Sequence, residues 1–139
     1  MRSPILASTI LSLASLFALA SCGPPKNYTP ADQVPKLPTL KEVMDVQATA
    51  ADPQFKKMDD ASHGDDDFAQ FADTATKIDA TSKHIKDFSK GPEFDAFADQ
   101  LNAKAALLAK AAAAKDAAGA NAALQDMKAT CKACHSQFR

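Results

Sequence analysis

The residues with the most chemistry in them stand together near the C-terminus, as Cys131-Lys132-Ala133-Cys134-His135. On a helix, positions i and i+3 share a face, so both sulfurs can form thioethers to the two vinyl groups of one porphyrin. The imidazole at i+4 stands one turn above the first cysteine, within reach of an iron at the ring centre. The motif therefore points to one covalent haem c, with Cys131 and Cys134 as attachment points and His135 as an iron ligand. A Cys-x-x-Cys pair can also bind zinc, but a structural zinc needs four ligands. Beyond His135 the chain offers only His63 and His84, and it has no second cysteine pair. A dithiol redox pair normally sits beside a βαβ pattern, which is missing here. A disulfide across the pair would be strained in a helix.

The third cysteine, Cys22, closes a different pattern. Arg2 precedes an apolar stretch from Pro4 to Ala20, and Leu19-Ala20-Ser21-Cys22 follows. This reads as a signal peptide over residues 1–21, too short for a membrane span. The end of the stretch resembles the lipobox of bacterial lipoproteins, in which the cysteine receives a diacylglycerol and becomes residue one. Left bare, Cys22 would be an odd, exposed thiol in an oxidising compartment. The expectation is export to the periplasm and a lipid anchor on Cys22. Gly23 in place of Asp favours, by the same resemblance, the outer membrane.

The elements that must position the motif are helical. Alanine is abundant and β-branched residues are few, which favours helices over a β-rich core. A formal charge of −1 over 139 residues excludes a strongly basic nucleic-acid binder. Residues 22–38 carry Pro24, Pro25, Pro30, Pro35 and Pro38 and read as an extended tether. From Thr39 onward apolar residues recur in threes and fours. The first run is Leu40, Met44, Ala48, Ala51, Phe55 and Met58, interrupted at Asp52-Pro53, where Pro53 either kinks the helix or starts a new one capped by Asp52. The second spans Phe68 to Phe88, the third starts at Glu93 and fades near Gly119, and the fourth runs from about Ala120 to Phe138. The loop from Asp59 to Asp67 fails as a calcium site, because Ala61 and His63 fall where oxygen ligands belong. Short connections predict an all-α, up-down-up-down four-helix bundle over 39–139. The inner faces of the third and fourth helices are rich in alanine, which leaves room for a large apolar cofactor.

A four-helix bundle ending in Cys-x-x-Cys-His-x-x-Phe-Arg resembles the cytochrome c′ and cytochrome c-556 family, over roughly residues 37–139. That resemblance implies that Phe138 packs by the haem and that Arg139 lies beside His135. It also implies that the first helix supplies the distal residue, Met in low-spin members and a non-ligating apolar residue in five-coordinate ones. Met44 in Lys41-Glu42-Val43-Met44 matches the low-spin pattern, and Leu40 stands where relatives often carry Arg. Geometry agrees, since an antiparallel fourth helix puts His135 level with the start of the first. Met58 lies fourteen residues past Met44, about 21 Å along the axis, and Met127 shares the haem-bearing helix. His84, near the end of the second helix, is the rival ligand, and an open distal position is the third reading.

His/Met ligation describes an electron-transfer protein of the cell envelope, not an enzyme. The alternative is a five-coordinate protein that binds nitric oxide or carbon monoxide. A peroxidase would need an open iron and a distal acid/base, for which only His84 is available. Family relatives are often homodimers. The haem end collects Lys36, Lys41, Lys83, Lys86, Lys90, Lys128, Lys132 and Arg139 against five carboxylates, while Asp52, Asp59, Asp60, Asp65, Asp66 and Asp67 crowd the far end. A redox partner with an acidic surface is the expectation.

Overall fold

The computed structural model describes residues 28–139; the expected signal segment 1–21, Cys22 and the first two prolines of the expected tether lie outside the described residues. Four helices carry the fold: α1 (Leu40–Phe55), α2 (Asp65–His84), α3 (Pro92–Ala114) and α4 (Ala117–Phe138). Short connections make neighbours antiparallel, and the result is the all-α four-helix bundle. α2 packs along both α1 and α3, and α3 along α4, while α1 and α4 meet at few points.

Local chemistry explains most boundaries. Thr39 caps α1: its Oγ1 accepts from the Glu42 backbone N–H at 3.3 Å and donates to the Glu42 carboxylate at 2.7 Å. Pro53 sits in the last turn of α1 and ends it there, so no new helix begins on Asp52. Asp65, Asp66 and Asp67 fill the first turn of α2, where the helix dipole favours negative charge. α2 tightens into a 3₁₀ segment, Ile85–Phe88. Gly91, at φ 119°, makes the turn into α3, and Pro92 opens the helix.

Two expected boundaries move. The break between the third and fourth helices falls at Lys115, not at Gly119. Lys115 adopts a left-handed conformation (φ 52°) and closes α3, its N–H reaching the Ala112 carbonyl while Asp116 N–H reaches Ala111. Asp116 then caps α4, accepting from the Gly119 N–H at 2.9 Å. Gly119 lies inside α4, and a Cβ there would press against the Asp116 carboxyl and Ala111. The tether also differs. Residues Ala31–Lys36 form a 3₁₀ helix against α2, with Val34 fully buried. Tyr28 donates to Asp73 at 3.2 Å, and the buried Lys77 ammonium sits 3.5 Å from the Tyr28 ring centroid. One apolar side chain and one aromatic ring are enough to fold the second half of that segment onto the bundle.

The core falls into two parts. The larger joins Phe68, Phe71, Ile78, Leu101, Leu108, Leu124 and Met127. The smaller, at the other end, joins Val43, Ile85, Phe94 and Ala98. The buried alanines of α3 and α4, among them Ala105, Ala111, Ala120 and Ala123, pack inside the larger part. They let the two helices approach closely, so they are not the source of free space. That space comes from α1 standing away from α4.

Candidate haem site

A cavity of about 800 Å³ opens between α1, α3 and α4. Cys131, Cys134, His135 and Phe138, spread over the last two turns of α4, form one wall, and Arg139 follows them. Leu40, Met44, Gln47 and Ala48 of α1 form the wall opposite. Phe94, Phe97, Ala98 and Leu101 of α3 and Ile85 complete the lining. This volume lies within the range of pockets that enclose cofactors, about 300–1,000 Å³. The structure thus brings every residue expected at the haem to one place: Cys131, Cys134, His135, Met44, Phe138 and Arg139.

The α1 wall explains a mismatch in the sequence reading. The apolar stripe through Leu40, Met44 and Ala48 faces the cavity, and these side chains are half-buried or exposed. The face of α1 packed into the bundle is instead Val43, Val46, Gln47, Ala50, Ala51 and Gln54. A helix that borders a cofactor has two inner faces, and one of them meets no protein.

Cys131 and Cys134 are free thiols, each half-buried. Burial pushes the Cys131 thiol up to about 11, with nearby Cys134 and Asp52 adding to the rise. Burial also raises Cys134, while Lys90 works against it. Phe138 sets its ring edge-on to Phe94 (5.4 Å between centroids) and Phe97 (6.3 Å). Lys90 donates from Nζ to the Phe138 carbonyl at 2.8 Å, satisfying a C=O left over at the end of α4.

His84 does not reach this cavity. Its ring is held between the Leu37 carbonyl (Nε2, 2.9 Å) and Asp87 (Nδ1, 2.8 Å), and its side chain is 9% exposed. Both nitrogens are engaged, so His84 fits neither an iron ligand nor a distal acid/base. It ties the segment before α1 to the end of α2. His63 likewise serves the far end, bonded to Asn121 at 2.8 Å and enclosed by Phe68 and Phe71. Among the described residues no group of three or more His, Cys, Asp or Glu gathers to hold a metal ion, which leaves a zinc site without ligands.

The cavity also includes residues the sequence reading left elsewhere. Asp52, placed at the far end by the charge pattern, lines the cavity near Cys131. Gln47 lines it one turn from Met44. Helical spacing from Met44 and antiparallel level with Cys131 were the available signals for both. Lys128, expected at the haem end, extends its ammonium over the Phe55 ring near the end of α1.

The residues fit haem c. Two thiols and an imidazole share one wall, an apolar slot faces them, and Lys41, Lys90 and Arg139 stand at the lining to meet carboxylates. A helical bundle with this site is a c-type cytochrome. The family model for cytochrome C′ matches residues 38–139, and the chain belongs to that family, whose members bind covalent haem c and are typically periplasmic. No curated protein and no solved structure matches it. Among the described residues no helix is long and apolar enough to cross a membrane.

Proposed function

We propose that this monohaem cytochrome is an electron carrier of the cell envelope, with its iron held by His135 and Met44. The observation that carries this reading is the pairing of His135 on α4 with Met44 on the facing wall of α1. Met44 is the one side chain of that wall with a soft donor atom suited to a haem iron. The competing amine, Lys41, is paired with Asp45 at 2.7 Å.

When bound, haem c supplies a one-electron iron couple, and His/Met ligation raises its potential. The chain's own residues do the rest. Cys131 and Cys134 would hold the ring on α4, and His135, next to Cys134 on the same helix, would supply an iron ligand. Leu40, Ile85, Phe94 and Leu101 keep water from the slot, and an apolar surround favours the form of lower charge. Met44 would occupy the distal position from the facing wall. Lipid on Cys22 would keep the carrier at the outer membrane, and its redox partner would approach the cavity rim.

The test is optical. Purified protein should show a low-spin spectrum with a sulfur-to-iron charge-transfer band. Met44→Ala should make it high-spin and open the reduced form to carbon monoxide. A native protein that is already high-spin and binds carbon monoxide at once would replace this reading with the five-coordinate, gas-binding one.

A further inference from the structure

Asp52 is the residue of the cavity wall that local structure does not call for. It stands in the last turn of α1, where the helix dipole disfavours negative charge, and no basic residue shares that turn. Aspartate is also among the weaker helix formers. Among the described residues no lysine, arginine or histidine comes within ion-pair distance of its carboxylate. Lys56, four residues on, and Lys128 of α4, whose ammonium sits over the Phe55 ring, are the cations of the two helices around it. A residue that breaks local rules without a structural gain belongs to the kind found at functional sites.

What Asp52 gains is a place in the cavity. It lines the same space as Thr130 and Cys131 of α4, and its charge reaches the Cys131 sulfur, helping to raise that thiol. The other charged groups of the lining are arranged differently. Lys41 is neutralised by Asp45 at 2.7 Å, and Lys90 stands with Arg139 at the C-terminal end of α4, bonded to the Phe138 carbonyl. Asp52 lies eleven residues past Lys41, about 16 Å further along α1. The cavity therefore carries its unpaired cations at one end and an unpaired carboxylate deeper in, beside the first attachment cysteine.

We propose that Asp52 is a potential-setting residue of this cytochrome: its carboxylate, beside the Cys131 attachment point, favours the ferric over the ferrous state. The idea deepens the electron-carrier reading and rests on it, but it needs only the haem on Cys131 and not Met44 as ligand. Reduction adds one electron, and so one negative charge, to the haem. A fixed negative charge nearby makes that addition less favourable. The apolar lining and His/Met ligation raise the potential, and Asp52 draws it back down. The driving force with which the carrier passes on its electron is set between them.

The test is a redox titration of haem-loaded protein, followed by its optical spectrum. A unit charge about 10 Å away, at effective dielectric constants of about 20 to 80, changes a one-electron equilibrium roughly twofold to fifteenfold. Asp52→Asn should therefore raise the midpoint potential by about 20–70 mV, at about 59 mV per tenfold for one electron. Asp52→Lys should raise it roughly twice as far, and Asp52→Glu, which keeps the charge, should stay near the native value. The melting temperature of haem-loaded Asp52→Asn should not fall, because the carboxylate it removes opposes the helix dipole. An unchanged potential in the asparagine and lysine variants, an equal shift in the glutamate variant, or a shift that comes with a lowered melting temperature would overturn the proposal. A high-spin spectrum in the native protein would sink the Met44 reading alone, since the shift caused by Asp52 is measured the same way in either spin state.

Discussion

At the scale of single residues, the protein holds its attachment cysteines as thiols. The Cys131 thiol is raised from 9.0 to about 11, chiefly by burial. A protonated thiol is a poor nucleophile, so the folded pair resists stray oxidation and alkylation. Because the folded value lies above the unfolded one, this thiol favours the fold fully below pH 9. That contribution is lost as pH rises from 9 to about 11. Alkylation of Cys131 in haem-free protein, followed by mass spectrometry, should therefore be slow at neutral pH and accelerate toward pH 11. In denaturant its midpoint should fall near 9. A midpoint near 9 in the folded protein would mean that Cys131 is not enclosed. Cys131, Cys134 and His135 were legible because their spacing carries its meaning within a single helix. The place of Met44 on the cavity wall was legible from its stripe and its level, since antiparallel helices fix which ends meet. The true place of His84 was not legible, for its partner is the Leu37 carbonyl, forty-seven residues away. Gln47 could be placed on the cavity only by its spacing from Met44, because nothing in its type separates it from a buried structural amide.

Helices and turns were easier to detect than to delimit. Hydrophobic period located all four helices, but Gly119 drew the third boundary away from Lys115. Glycine is the usual residue where a helix closes in a left-handed turn, and here lysine does the job at φ 52°. Holding a lysine there costs about 1 kcal/mol. Its exposed ion pair with Asp65, at 2.7 Å, offsets only a fraction of that. Lys115→Gly should therefore raise the melting temperature, by up to about 4–8 °C if most of the 1 kcal/mol is recovered. A fall in calorimetry would show that the Lys115–Asp65 tie between α2 and the α3–α4 turn outweighs the backbone. The tether was misread for a related reason. Prolines set backbone angles, but Val34 and Tyr28 decide where the segment goes, and both are held on α2. Only residues 23–27 then separate Cys22 from the bundle, a reach of about 17 Å at full extension. A lipid on Cys22 would thus hold the domain close to its membrane. Cys22→Ser should move the protein from the membrane to the soluble fraction on centrifugation, or block its processing. Membrane association that survives the change would leave the lipobox without support.

For the whole molecule, the question is how a nearly neutral protein meets its partner. The sequence predicts a basic haem end, and the structure narrows it. Lys41 pairs with Asp45, Lys83 with Asp79 and Lys86 with Asp99, so three of its cations are neutralised locally. Lys128 leans over Phe55, and Asp52 joins the cavity lining. At the cavity rim, Lys90 and Arg139 have no carboxylate partner within ion-pair distance among the described residues, and Lys132 stands exposed on α4, next in sequence to Cys131. The haem propionates would cancel part of this positive charge. What remains is a small basic rim at the mouth of the cavity. Steering by so few charges belongs at the bottom of the range seen for charged clefts, about tenfold in association rate. An acidic partner should nevertheless feel it, because screening shortens from about 30 Å at 0.01 M salt to about 10 Å at 0.1 M. Stopped-flow electron transfer with the physiological partner should slow by up to about tenfold across that interval. Charge-reversing Lys132 to Glu should flatten the dependence while leaving the spectrum unchanged. A native rate that is flat or rises with salt would reject the basic rim as the docking face, and would direct the search to the acidic far end, where Asp59, Asp60 and Asp66 stand exposed.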